Sequence, residues 1–168
     1  MGEVGHQAAL GKALVQGLRV KFPDVSFREQ TMPVDETVVI MPASLLIPAV
    51  KVLMDDLGIW HLSTITADVA ADSGGKAETG ELIRLLYHFW CGEGVTLCVE
   101  LPGLSPEVTT LTGLIPGAAY YEREIYEMFG VTFDGHPDLR PLFLPDDWNE
   151  EPPMRDSTAK AAAARGDP

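Results

Sequence analysis

Residues 118–148 constrain this chain more than any other stretch, because the backbone rules change halfway along it. Tyr121, Ile125, Met128 and Phe129 recur at helical spacing and predict one apolar stripe, with Glu122, Arg123, Glu124 and Glu127 mostly off it. Gly130 follows the last apolar residue, where a helix commonly closes in a left-handed conformation. Beyond it no helix continues. Pro137, Pro141 and Pro145 each lack a backbone donor and push the residue before them toward extended geometry. A charged helix therefore delivers the chain into a proline-stiffened arm. The expected division is an α+β domain at residues 1–133 and an extended C-terminal arm at 134–168.

The preceding residues supply the rest of the core. An interrupted apolar stripe predicts a first helix at 6–21, ended by Pro23. A weak strand follows at 25–30, a turn at 32–36 and a β-branched strand at 37–41. Ser44 is the expected N-cap of a second helix at 45–57, with Pro48 in its first turn and Leu46, Val50, Leu53 and Leu57 inward. Strands are expected at 59–68, 81–90 and 95–101, with a loop at 71–76 and a glycine-rich turn at 91–94. In the last of these strands Val95, Leu97, Val99 and Leu101 alternate with Thr96, Cys98 and Glu100, which predicts one buried face and one open face. Residues 104–116 fit a short helix or a short strand. Residues 149–168 lack apolar periodicity; they are expected to contribute little to stability, and their end to lack fixed structure. The order of elements implies an α+β fold: a mixed or antiparallel sheet with helices mainly on one face.

Composition bounds function. The 168 residues are 46% hydrophobic, enough for one compact core. A net charge of −13 argues against nucleic acid, whose phosphates repel such a surface, and against unaided binding to an anionic membrane. No apolar run approaches the ~20 residues that span a bilayer. The N-terminal residues lack the basic start and apolar centre of a signal peptide. Cys91 and Cys98 are too few for an iron–sulfur cluster and read as small core or turn thiols. No glycine-rich phosphate loop, dinucleotide fingerprint or nucleophile elbow is present.

Two features carry chemistry. Asp134, His136 and Asp138 could be drawn as an oxygen–nitrogen metal site, although a proline-stiffened turn uses such side chains to bond its own backbone, and that reading is preferred. His61 and His88 read as satisfied sheet histidines. Glu122 and Glu124 point in different directions on a helix, and Arg123 can pair with Glu127. Tyr120, Tyr121, Phe133, Phe143 and Trp148 stand among Arg and Asp, and aromatic and arginine side chains carry interface energy.

The run Glu-Arg-Glu-Ile-Tyr-Glu-Met-Phe-Gly-Val-Thr-Phe-Asp-Gly-His-Pro-Asp-Leu-Arg at 122–140 resembles the signature of the thirty-kilodalton (C) subunit of respiratory NADH:quinone oxidoreductase (complex I). The similarity continues through Leu-Pro-Asp-Asp-Trp at 144–148, and residues 62–68 resemble the family's central strand. After Trp148 the chain departs from the family's pattern, keeping Pro152, Asp156 and the charge of Arg155. The same subfamily also supplies domains to membrane-bound hydrogenases.

The resemblance implies a non-catalytic subunit with no cofactor in this chain. It would brace the large quinone-site (or hydrogenase-like) subunit beside a cluster-bearing small subunit, in the cytoplasm at the inner face of the membrane, without inserting into it. The residues expected at that interface are Glu122, Arg123, Glu124, Tyr126, Phe129, His136, Pro137, Asp138, Arg140 and Trp148, with Arg123 and Arg140 mattering more to assembly than to folding. The alternatives are the equivalent subunit of a nickel–iron hydrogenase or non-NADH dehydrogenase, and an independent metal enzyme built on Asp134, His136 and Asp138.

Overall fold

The computed structural model describes residues 9–155 apart from 26, 32–35, 72–80, 93 and 146. The turn expected at 32–36, the loop at 71–76, residues 6–8 of the first helix and the end of the arm fall wholly or mostly outside them. The elements are α1 (Ala9–Lys21), β1 (Arg28–Thr31), β2 (Glu36–Met41), α2 (Leu46–Lys51), β3 (Leu62–Ala71), β4 (Glu81–Trp90), β5 (Gly94–Pro102), β6 (Glu107–Thr109), α3 (Ala118–Phe129) and β7 (Thr132–Asp134). A five-stranded sheet has the order β1-β2-β5-β4-β3, and β6 and β7 form a second sheet of two strands. The larger sheet is mixed, since β1 pairs antiparallel with β2 and β2 pairs parallel with β5. The fold is α+β, as expected. The chain divides into two compact units, Met1–Thr66 with Leu85–Glu100, and Ala67–Arg84 with Leu101–Pro168.

In the first unit Leu14, Val15 and Leu18 of α1 are buried, and α1 packs on β2. The close approach depends on Gly11, because a Cβ there would overlap the side chain of Thr37. The second helix differs from expectation. Ser44 is not an N-cap: it lies inside a 3₁₀ turn (Ala43–Leu45) that starts at the extended Pro42, and neither this turn nor α2 has a side-chain cap bond. After six α-helical residues the chain widens into a π-helical turn, Val52–Asp56, with Val52, Leu53 and Met54 all buried. β5 also departs from expectation. Thr96 and Cys98, assigned to an open face, are 0% and 3% exposed, because both faces of β5 are covered along most of the strand. His88 is a satisfied sheet histidine: its Nδ1 lies 2.7 Å from Thr96 Oγ1 and its Nε2 3.0 Å from Thr66 Oγ1. His61 is exposed just before β3. Cys91 and Cys98 are both free thiols, the first exposed and the second buried.

In the second unit residues 104–116 form the short strand β6 and a turn. β6 and β7 pair in parallel, with Val108 opposite Phe133 and both side chains buried. α3 stands next to β7 in sequence, separated by Gly130 and Val131. That glycine adopts φ 71°, closes the helix through its N–H to Tyr126 O at 2.9 Å, and leaves room for Pro152.

Candidate functional site: a helix–arm clamp

The inward face of α3 is not the stripe its largest side chains suggest. Ile125 and Phe129 are buried, but Tyr121 and Met128 are only half-buried, while Ala118, Glu122 and Glu127 are buried. Ala118, Glu122, Ile125 and Phe129 step by four, three and four, the spacing of one helix face. Glu122 enters the interior on this face, while Glu127, roughly 140° further round the helix, is buried beneath the arm, and each meets backbone donors.

Glu122 is 0% exposed. Its Oε1 accepts the N–H of Leu111 at 2.7 Å and its Oε2 accepts the hydroxyl of Thr110 at 2.5 Å. The Thr110 oxygen in turn accepts the N–H of Thr112 at 3.1 Å. Glu122 thus fixes the loop after β6. Burial pushes its carboxyl above the ordinary range, and the bonds from Thr110 and Leu111 only partly oppose this.

His136 has a side chain 1% exposed, with Nε2 3.9 Å from Glu122 Oε2. Its Nδ1 accepts the N–H of Asp138 at 3.0 Å, so the other nitrogen carries the ring proton and donates to the carbonyl of Ala119 at 3.2 Å. Both ring nitrogens are committed to backbone. The constellation drawn from Asp134, His136 and Asp138 is therefore not assembled as a metal site. Among the described residues no group of three or more His, Cys, Asp or Glu side chains is placed to hold a metal. Asp138 instead takes both prongs of Arg140, at 2.5 and 2.8 Å, and the guanidinium holds its carboxyl below the usual range.

The pairing open to Arg123 and Glu127 is not the one adopted. Each side chain grips the arm. Arg123 donates to the carbonyls of Arg140 at 2.9 Å and Pro141 at 2.8 Å. Glu127 accepts the N–H groups of Leu142 at 2.7 Å, Phe143 at 3.0 and 3.1 Å, and Leu144 at 3.2 Å. Arginine has only donors and an ionised carboxylate only acceptors, so the two side chains, four residues apart on α3, satisfy consecutive carbonyls and then consecutive amides. The arm is clamped along 140–144. Further on, the N–H of Met154 bonds Met128 O at 2.9 Å, one of the carbonyls left open at the helix end, and the Arg155 guanidinium bonds Gly103 O. Residues 152–155 are thus fastened to the unit, contrary to the expectation that everything after residue 148 contributes little.

The predicted interface residues divide accordingly. Glu122, Phe129 and His136 are internal, and Arg123 is engaged with the arm. Glu124, Pro137, Arg140 and Trp148 are exposed, while Tyr126 and Asp138 are half-buried. Of the aromatics, Phe133 is buried, whereas Tyr120 and Phe143 are each 66% and Trp148 40% exposed. Sequence reasoning missed Glu127 as a holder of the arm. The available signal was its position one turn after Arg123, ahead of an arm whose backbone needs partners.

Fold and clamp define an α+β chain in which a helix and a proline-stiffened arm are fastened into one element. The family model described as "Respiratory-chain NADH dehydrogenase, 30 Kd subunit" matches residues 39–163, and the chain belongs to that family. The C subunit of the NADH-quinone oxidoreductase of Moorella thermoacetica is 34% identical over 146 residues, covering 84% of this chain and 91% of that protein. The C subunit from Roseiflexus sp. (strain RS-1) is 32% identical over 149 residues, covering 88% and 84%. In the C/D subunit of Methylococcus capsulatus, 28% identical over 158 residues, the match covers 89% of this chain but 27% of the relative. The trypsin-resistant fragment of Nqo5 has the same fold, with a TM-score of 0.57 at 22% identity over 79% of this chain and 98% of that one. Among the described residues no helix is long and apolar enough to cross a membrane.

Proposed function

We propose that this chain is a non-catalytic subunit of a complex-I-like NADH:quinone oxidoreductase. It braces the large quinone-site subunit in the peripheral arm, next to a cluster-bearing small subunit, while electrons pass through cofactors held elsewhere. The observation that carries this reading is the clamp. Arg123 and Glu127 hold the arm at 140–144, and the same element presents Tyr120, Phe143, Arg140 and Trp148 outward. A prefixed arm loses little conformational entropy on docking, and exposed aromatic and arginine side chains are the groups that anchor interfaces. Membership of the 30-kDa subunit family supports the same role.

The test is co-expression with the large subunit encoded by the same organism. The full chain co-purifies with it, and the purified single chain oxidises no NADH and shows no flavin or iron–sulfur absorbance. A chromophore in the single chain, or failure of the wild-type chain to associate, overturns the reading.

A further inference from the structure

Glu127 is 6% exposed, and its carboxylate is held by backbone amides of the arm. It lies in the last turn of α3, where the helix dipole disfavours an anion, and that turn has no basic residue. Its partners are three neutral amides, and no ion pair to it is found among the described residues. Beside it opens a groove of about 220 Å³ lined by Glu127, Tyr126, Pro141, Leu144, Trp148 and Glu150. Its walls are aromatic and apolar, and its charged groups are both acidic. No lysine or arginine lines it.

We propose that this groove receives an arginine side chain from the partner protein. The argument is charge complementarity joined to shape. A guanidinium has a flat face that stacks on an indole or phenol and an edge that forks onto a carboxylate, and Trp148, Tyr126 and Glu150 offer both kinds of surface. The inference rests on the subunit reading above and names the chemistry its partner must bring to the end of the clamp.

The full chain is titrated with N-acetyl-arginine amide, and with the neutral isostere N-acetyl-citrulline amide, while the tryptophan indole N–H signals are followed by NMR. The Trp148 signal is assigned by its loss in Trp148→Leu. The arginine probe shifts this signal saturably and the citrulline probe does not. Glu150→Gln, an exposed change that leaves the fold intact, weakens the arginine effect roughly two- to fivefold. Equal shifts with both probes, no shift with either, or an unchanged response in Glu150→Gln each overturn the proposal. Co-purification of the wild-type chain with the large subunit is scored separately. If the chain associates but the probe does nothing, the groove assignment alone fails; if the chain does not associate, the subunit reading fails.

Discussion

Replacing Glu127 with alanine removes the acceptor for the N–H groups of Leu142, Phe143 and Leu144. A bond from a buried amide to a carboxylate is worth about 1.5–3 kcal/mol. Here Phe143 is exposed and Leu142 and Leu144 are half-buried, so water replaces part of what is lost. About 1 kcal/mol per amide, or about 3 kcal/mol in all, is the appropriate scale. Removing an anion from the helix C-terminus returns about 0.3–1 kcal/mol. The net loss of about 2 kcal/mol corresponds to a roughly 30-fold rise in opening of the arm. Hydrogen exchange on the full chain reads this directly. The amides of 142–144 exchange roughly 30-fold faster in Glu127→Ala, while those of β5 keep their wild-type rates. Unchanged exchange at 142–144 refutes the clamp. An equal acceleration in β5 shows that the arm does not open separately, and refutes it as a local device.

Arg123→Ala loosens the same segment by about 1–2 kcal/mol, and its effect combined with Glu127→Ala falls short of the sum because both hold one segment; additive exchange rates would contradict this. The raised carboxyl of Glu122 means that the folded state binds the proton more tightly than the unfolded state, whose value lies near 4.5. Its stabilising contribution is full below that pH and is lost as pH rises through the folded value, so the melting temperature of wild type relative to Glu122→Gln falls with rising pH; a flat or rising difference refutes the assignment. Removing residues 150–168 takes away the Met154 and Arg155 bonds and the Pro152 contact, costing about 2 kcal/mol or roughly 4–8 °C in melting temperature. An unchanged melting temperature would show the tail to be dispensable.

Much of the fold is legible in the sequence because hydrophobic period and breakers agree along the chain. β4 spans the expected residues 81–90, and α3 ends at Phe129, just before the glycine expected to close it. The misreadings have physical causes. Alternation marks a strand but does not say whether a second layer covers its polar side, so β5 reads as having an open face. Ser44 has the chemistry of a cap but sits within a turn begun by Pro42. On α3 the bulk of Tyr121 and Met128 outweighs spacing, although Ala118, Glu122, Ile125 and Phe129 keep better helical register. A buried glutamate looks like a surface one until its donors are known. Those donors, Leu111 and the 142–144 amides, lie 11 to 17 residues away. His136 goes the other way: the sequence favours turn chemistry over metal ligation, and the ring bonds the Asp138 N–H and the Ala119 carbonyl.

The proposed function makes α3 and its clamped arm the surface that meets the large subunit. Hydroxyl-radical oxidation of Tyr120, Phe143 and Trp148, compared between the free chain and the purified complex, tests it most directly. All three are exposed in the free chain. Their oxidation is expected to slow at least several-fold in the complex. Equal oxidation of all three in the free chain and in the assembled complex would place the interface elsewhere and contradict it.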